Sequence, residues 1–513
     1  MIDGNTTLWV IRILFIVLSL TTSYLVWWRW ARFDHITSLL LAPLASTTII
    51  IVLGTPLYWL YQFNEIAILA IITTFCIVSI IASIYPLPTR QVPYLPIRSL
   101  AYVPNLSKQH QLPSSIFALL YLLASGMCVF LLIHVRTFDS TLGPWEQVHT
   151  LFFIMYGAAS FLLLIIGYLY RIRQGLYVLL LVMHGLLTLS VLGIMFPLGY
   201  GFDPYLHRAA ETIISQYGVV IPKTIYYIGQ YVTVVTISTL LSIPIFYIDM
   251  WLVPVLASVS IIPLAFLTIQ RLIAQRALTM FLAAIVFIVP FTSLINTTPW
   301  SLAFLFFIIT FLLSLLYIQK KYRPLLGIAM STTIAALFIH PLGGIPALIV
   351  SGMTIVIYEL LPHLRHRLSR MSISIAAVIG ASILVPMAFA INNLFSTQLS
   401  IRIAPPDDTY TFIKTIGSHF FSYTSRFNVW QDTAYLLPFM FGAILVASAI
   451  GVTLYYWNIH RMYRRALATL WACWLALFIN VVLVKGFVHF TSIVSYEQGV
   501  FTDRLYEASM IVL

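Results

Sequence analysis

Residues 202–211 read FDPYLHRAAE, and they bring more titratable side chains together beside an apolar run than any other part of the chain. Asp203 followed by Pro204 predicts the N-cap and first turn of a helix, and Gly218 predicts its end. On a helix from Pro204 to Tyr217, polar residues at intervals of four share one face, namely Asp203, His207, Glu211 and Ser215. We therefore expect an amphipathic helix lying at a membrane surface, with two carboxylates and an imidazole along its polar face.

The composition around this segment is that of a membrane protein. Of the 513 residues, 61% are hydrophobic and 8% are charged. Apolar runs of about 18 residues or more recur from Leu8 almost to the end of the chain, which is typical of membrane-spanning helices. The sequence therefore predicts an all-α polytopic membrane protein. The three cysteines lie inside apolar runs and indicate neither a disulfide framework nor a metal site.

Basic residues between the apolar runs predict the orientation. Seven clusters hold 18 of the 27 Lys and Arg residues, whereas only two of the 15 acidic residues, Asp34 and Glu359, lie with them. By the positive-inside rule these clusters are cytoplasmic, so the amino terminus lies outside the cell (plasma) membrane. The net charge of +12 then reflects topology, and no nucleic-acid partner is expected. The clusters are Arg29/Arg32, Arg90/Arg98/Lys108, Arg171/Arg173, Arg271/Arg276, Lys320/Lys321/Arg323, Arg365/Arg367/Arg370 and Arg461/Arg464/Arg465.

The alternation of apolar runs and charges predicts about fourteen spans and two regions. Residues 1–175 hold five spans and a proline-rich cytoplasmic segment, and we expect an accessory N-terminal transmembrane region there. Residues 176–513 form the second region, which holds the segment at 202–211. The predicted spans are about 8–28, 36–60, 66–87, 114–134, 149–170, 176–199, 251–270, 278–297, 300–318, 324–339, 343–361, 372–392, 435–457 and 464–484.

One apolar stretch does not fit this alternation. Asp203 is predicted outside and Arg271 inside, so only one of the two apolar stretches between them crosses the membrane. We assign residues 225–247 to an interfacial or re-entrant segment, because it begins with polar aromatic residues and ends at Pro244 and Asp249. Two long outer loops follow, at about 393–433 and 485–504. A last apolar run stops at Leu513, and we expect the natural chain to continue beyond it.

GFDPYLHRAAETIISQYG, followed by Pro222-Lys223 and YYIGQY, resembles the first extracytoplasmic loop of the GT-C glycosyltransferases. Within that family, the sequence of this segment most resembles that of oligosaccharyltransferase catalytic subunits. The resemblance covers residues 176–513 approximately. It implies a GT-C-like helical bundle that transfers a sugar from a polyprenyl-phosphate-linked donor in the lipid bilayer to an extracytoplasmic acceptor. By this likeness Asp203 corresponds to the essential carboxylate, as base or metal ligand, and Arg504 resembles the arginine that holds the lipid phosphate.

The chain also departs from that family. The Trp-Trp-Asp-Tyr-Gly motif is absent, and the loop Asn296-Thr297-Thr298-Pro299 carries no second carboxylate. The sequence therefore does not identify the acceptor, and it leaves open whether a divalent cation, Mg²⁺ or Mn²⁺, binds at Asp203.

The chemistry of such a transfer supports the same residues. A carboxylate near the acceptor takes or orients its proton, which Asp203 could do with His207 and Glu211 on the same face. Cations stabilise the leaving phosphate, and four are candidates: Arg208, Lys223, Arg426 and Arg504. The remaining predicted substrate-binding residues are Tyr227, Gln230, His340 and Glu497.

Two other interpretations stay open. In the first, Asp203 only caps a helix, Arg208 anchors that helix to lipid headgroups, and His340 is structural. In the second, the chain is a lipid-linked sugar flippase or transporter without catalytic activity. Ion-coupled carriers need ionisable residues near the middle of the bilayer, whereas the charges here collect at the outer surface, which favours an enzyme.

Overall fold

A computed structural model gives the fold, and it describes residues 4–84, 114–139, 144–169, 172–221, 223, 226–272, 276–288, 292–395, 401–403, 442–457, 461–490 and 499–513. Twenty α-helices occupy most of these residues, and α1 and α15 continue into π-helical turns. The helices are α1 (Gly4–Leu25), α2 (His35–Leu40), α3 (Ala42–Leu60), α4 (Glu65–Ile84), α5 (Ser114–His134), α6 (Thr150–Leu169), α7 (Gln174–Leu189), α8 (Val191–Met195), α9 (Asp203–Tyr217), α10 (Ile228–Leu241), α11 (Ile245–Leu272), α12 (Arg276–Ile288), α13 (Pro299–Lys320), α14 (Arg323–Ile339), α15 (Pro341–Ile355), α16 (Arg367–Ser382), α17 (Leu384–Phe395), α18 (Gly442–Trp457), α19 (Arg461–Phe487) and α20 (Val500–Val512).

The structure confirms the predicted class, a helical protein with several apolar helices that are long enough to cross a membrane. Among the described residues, eight helices are long and apolar enough to cross a membrane, or nine if the bent pair α16 and α17 forms one span. Several predicted spans fall on shorter apolar helices, such as α7 and α14. The count of fourteen spans therefore stays a prediction.

Helix α13 lies at the centre of the bundle, and its sequence explains where it begins, where it ends and why it is buried. Its N-terminus is capped by Thr298, whose hydroxyl accepts a hydrogen bond from the Ser301 backbone N–H, with Pro299 in the first turn. It ends where Lys321 takes a left-handed backbone conformation. The helix is apolar on every side, so it is buried by α11, α14 and α15 along nearly its whole length.

Basic clusters that are far apart in the sequence meet at one end of the bundle. Arg32 lies over the ring of Tyr322, at 5.1 Å, and Lys320 lies over the ring of Phe33, at 5.2 Å. Arg323 forms an exposed ion pair with Glu359 at 3.5 Å. This convergence agrees with the assignment of these clusters to one side of the membrane.

The end of α9 contacts the connection between α3 and α4, and the end of α10 is linked to the start of α4 through Arg12 on α1. Before α10, the carbonyl of Gly218 accepts a hydrogen bond from the Phe63 backbone N–H. After α10, Ser242 accepts a hydrogen bond from Arg12, which also pairs with Glu65 at the start of α4. Helix α10 has only 14 residues, about 21 Å, which is shorter than a typical span. The end of α9 and the end of α10 therefore lie near the same region, where α3 is followed by α4.

The two predicted outer loops are joined by a short antiparallel strand pair. Strand β1 (Ile401–Ile403) pairs with β2 (Val488–Phe490), with Arg402 opposite His489. The pairing holds the start of the first loop against the start of the second, which leads to α20.

Candidate functional site

Helix α9 begins at Asp203, so the prediction that Asp203 is the N-cap is wrong. Phe202 occupies the N-cap position and makes no capping bond with its side chain. Asp203 is already inside the helix, where its carboxylate cannot reach the backbone N–H groups of the first turn in the way an N-cap residue does. The side chain is exposed instead. The predicted end is confirmed, because Gly218 takes a φ of 75° and stops the helix.

Most of the titratable face of α9 turns toward the other helices rather than toward solvent. His207 and Arg208 are half-buried, and Glu211 is fully buried. The opposite face is apolar and exposed: Leu206 is 55% exposed and Tyr217 is 69% exposed. Such an arrangement suits a helix whose apolar face lies in lipid while its titratable face closes a polar interior.

His207 links α9 to α10 and to the α14–α15 junction. Its Nδ1 atom lies 2.9 Å from the hydroxyl of Tyr231, and its ring meets the edge of the Tyr227 ring at 5.3 Å. Tyr227 in turn stacks on His340 at 5.3 Å. Burial lowers the pKa of His207 to about 4, while Asp203 opposes that change. The imidazole is therefore neutral at pH 7.

Arg504 reaches the same place from α20, at the far end of the chain. Its guanidinium lies over the ring of Trp300, at 5.4 Å, and Trp300 meets the edge of His340 at 6.3 Å. Arg504 lies within electrostatic range of Asp203, Tyr227 and Glu507. Burial lowers the pKa of Arg504 from its usual value, and the guanidinium stays charged because that value is so high.

We call the group formed by Asp203, His207, Tyr227, His340 and Arg504 the outer cluster. It is extended by Glu507, whose carboxylate accepts a hydrogen bond from the Ser293 hydroxyl at 2.7 Å. Burial raises the pKa of Glu507 to about 7. An exposed carboxylate, a neutral imidazole and a cation thus come together in one surface region.

A second group lies deeper, between α9, α10 and α11, and we call it the inner cluster: Arg208, Glu211, Gln230 and Asp249. Two nitrogens of Arg208 lie 3.3 Å from Oδ2 of Asp249. The Gln230 side-chain nitrogen donates to Oε1 of Glu211 at 2.9 Å and to Oδ1 of Asp249 at 3.4 Å. Arg208 and Asp249 also border a small cavity of about 20 Å³, which extends to Tyr200 and Thr297.

Lys223 lies apart from both clusters. Its ammonium donates to the backbone carbonyls of Tyr58, Trp59 and Tyr61 at the end of α3, at 3.1–3.2 Å. These are the carbonyls that a helix end leaves without partners, so Lys223 caps α3. Arg426 and Glu497, also predicted for substrate binding, lie outside the described residues.

Sequence analysis did not identify three residues in or beside the clusters: Asp249, Trp300 and Glu507. Asp249 stands at the start of a long apolar helix, which is itself an unusual place for a carboxylate and could have marked it. Trp300 and Glu507 belong to ordinary helical patterns, and only the fold brings them beside Arg504.

A metal site at Asp203 is not completed by the described residues. Within this part of the chain, no group of three or more His, Cys, Asp or Glu side chains is placed to hold a metal ion. His207, the histidine nearest along the helix, uses its Nδ1 for Tyr231.

The outer cluster has the groups that a transfer reaction from a phosphate carrier needs. The Asp203 carboxylate can accept a proton, and the Arg504 guanidinium can pair with phosphate oxygens. The fold and these clusters define a helical membrane protein with a polar site at one end of its bundle. Comparison of the chain with protein-family models, curated proteins and solved structures found no match.

Proposed function

We propose that the chain is a GT-C-type membrane glycosyltransferase, which transfers a sugar from a polyprenyl-phosphate-linked donor to an extracytoplasmic acceptor. The observation that carries the proposal is the series of ring contacts that runs from Arg504 on α20, through Trp300, His340 and Tyr227, to His207 on α9. Asp203, one turn before His207, lies within electrostatic range of Arg504. In the proposed orientation this site faces the outside of the plasma membrane, where the apolar face of α9 rests in the outer leaflet.

In the proposed reaction Asp203 accepts the proton of the acceptor nucleophile while the new glycosidic bond forms at the sugar's anomeric carbon. The bond from that carbon to the carrier's phosphate oxygen breaks, and Arg504 stabilises the phosphate that leaves. Tyr227 stacks on His340 beside these groups. His207, held by Tyr231, is a neutral imidazole one turn along α9 from Asp203.

The test is sugar transfer from a polyprenyl-linked donor by the protein in nanodiscs, with and without a divalent cation. Asp203→Asn keeps the shape and removes the charge, so transfer should fall by about 10²-fold or more. The matched control is Asp139→Asn, which changes another exposed aspartate outside both clusters. Transfer by the Asp203→Asn protein at the wild-type rate would remove Asp203 from the chemistry.

A lipid-linked sugar flippase is the second candidate, and one observation favours it. Glu211 and Asp249 are buried inside the bundle, and ionisable residues in such positions are typical of carriers. The two candidates are separated by placing the protein in liposomes with a labelled polyprenyl-linked sugar. Movement of the label between leaflets with no transfer to any acceptor would favour the flippase.

A further inference from the structure

The inner cluster has two carboxyl groups, those of Glu211 and Asp249, but only one cation, Arg208. Glu211 and Gln230 are 0% exposed and Asp249 is 1% exposed, so the three side chains are buried in the bundle. If both carboxyl groups were ionised, the single guanidinium of Arg208 would leave a net charge of −1 in a buried space. A buried charge without a partner is costly, and carboxyl groups in such places usually bind a proton instead.

The hydrogen bonds indicate where that proton lies. Arg208 contacts Asp249 directly, whereas the Oε1 atom of Glu211 receives only the Gln230 amide. The other carboxyl oxygen of Glu211, Oε2, is buried without any hydrogen-bond partner among the described residues. An ionised carboxylate would leave this oxygen with negative charge and no donor, and a proton on it removes that cost.

The groups that surround Glu211 act in the same direction. Asp249 faces it from α11 and repels a second negative charge, and Tyr231 faces it from α10 with its own hydroxyl bonded to His207. Arg208 and Gln230 favour the ionised form. Burial outweighs them, so the pKa of Glu211 is raised well above its ordinary value.

We propose that Glu211 and Asp249 form one proton-binding site, bridged by Gln230, which fastens α9 to α10 and α11 while it holds a proton. Each of the three helices contributes at least one side chain, so the site joins all of them. When the proton leaves, two carboxylates repel each other across Gln230 and α9 is held less tightly. The site lies two turns along α9 from Asp203, and this proposal does not depend on what Asp203 does.

The sign of the pH effect follows from the raised pKa. Over some pH range the folded protein holds a proton that the unfolded chain, with an ordinary glutamate pKa of about 4.5, has lost. The stabilisation is complete below that ordinary value and is lost as the pH rises through the folded value. His207 has the opposite dependence, but it is already neutral above about pH 6.5. Glu507 also titrates near pH 7, so the carboxyl pair is isolated by the difference between the wild type and a variant that lacks the Glu211 carboxyl group.

The first experiment compares unfolding temperatures of the whole protein in nanodiscs between about pH 6.5 and pH 9. The wild type should lose roughly 2 °C or more over this range beyond the loss seen for Glu211→Gln, whose neutral amide cannot ionise. Glu65→Gln is the control, because the Glu65 side chain is 67% exposed, and it should behave as the wild type. Equal pH dependence in the wild type and Glu211→Gln overturns the proposal.

The second experiment detects the proton directly and does not require that Glu211→Gln folds. Infrared spectra of the wild type near pH 7 should contain the carbonyl band of a protonated carboxyl group that is protected from exchange with D₂O. The band should remain in Glu507→Gln, which removes the other described glutamate with a raised pKa. It should disappear when Asp249→Asn is added to Glu507→Gln, because Arg208 is then free to pair with an ionised Glu211. Absence of the band in Glu507→Gln, or its persistence in the double variant, overturns the proposal.

Discussion

The Arg504 guanidinium lies over the ring of Trp300 and within electrostatic range of Asp203, so it supplies the positive charge of the outer cluster. Contacts between a guanidinium and a phosphate are worth about 1.5–3 kcal/mol. We therefore expect Arg504→Ala to weaken binding of polyprenyl phosphate about tenfold or more. Arg504→Lys keeps the positive charge but not the planar guanidinium group, so it should lose less affinity than Arg504→Ala.

Binding of the labelled carrier to protein in nanodiscs measures this effect. Arg12→Ala is the matched control, since Arg12 lies outside both clusters and pairs with Glu65 and Ser242. Unchanged affinity in Arg504→Ala would place the phosphate elsewhere. A loss of equal size in Arg12→Ala would show that the effect is general rather than local.

Several members of the outer cluster could be predicted from the sequence, but the direction of their helix face could not. The spacing of Asp203, His207 and Glu211 correctly placed them along one side of α9. A polar helix face usually meets water. On α9 most of the titratable face instead packs against other helices, while the apolar face is exposed on the side proposed to meet lipid. Periodicity within a helix identifies neighbours three or four residues apart. It carries no information on contacts such as that between Gln230 and Asp249.

At the level of single elements, the end of α9 depends on a glycine. Gly218 has a φ of 75°, and a Cβ atom there would lie 3.2 Å from the Cβ atom of Gln62. Gly218→Ala should therefore destabilise the protein by about 1 kcal/mol or more. The control is Gly126→Ala in the middle of α5, where a Cβ atom meets nothing within 4 Å. That change should be neutral or stabilising by up to about 1 kcal/mol.

Thermal unfolding in nanodiscs compares the two alanine variants. A lower midpoint for Gly218→Ala and an unchanged or higher one for Gly126→Ala are the expected results. If Gly218→Ala unfolds at the wild-type temperature, the helix end tolerates a different conformation from the one described.

Helix α10 gives a prediction about topology. The end of α9 contacts Phe63, and Ser242 is linked to Glu65 through Arg12. Because Phe63 and Glu65 lie together where α3 is followed by α4, we expect Ser215, near the end of α9, and Ser242 to face the same side of the membrane. Both are exposed, so Ser215→Cys and Ser242→Cys should react with a thiol reagent that does not cross membranes. The three natural cysteines are buried and should contribute little labelling.

Intact cells provide the test, with Ser369→Cys as the control for the opposite side. Ser369 is exposed beside the basic cluster at 365–370, so it should react only after the membrane is made permeable. Reaction of Ser215→Cys but not Ser242→Cys in intact cells would mean that α10 crosses the membrane. Reaction of Ser369→Cys in intact cells would reverse the proposed orientation.

At the level of the whole molecule, composition alone was sufficient to predict a bundle of membrane helices. Long apolar runs leave few other ways to satisfy the backbone hydrogen bonds. The packing order was not predictable, since helices such as α13 are apolar on every side and offer no preferred face. The strand pair between Arg402 and His489 was missed for a related reason: three residues a strand are too few to produce a pattern.

The exposed apolar face of α9 has a kinetic consequence. If Leu206, Ile213 and Tyr217 lie in lipid, the site stays at a fixed depth in one leaflet, and a lipid-anchored donor reaches it by lateral diffusion in two dimensions. Half-saturation would then depend on the mole fraction of donor among the lipids, not on its amount per volume of solution. Diluting the donor with inert phospholipid at constant total donor should slow turnover, whereas adding buffer should leave it unchanged.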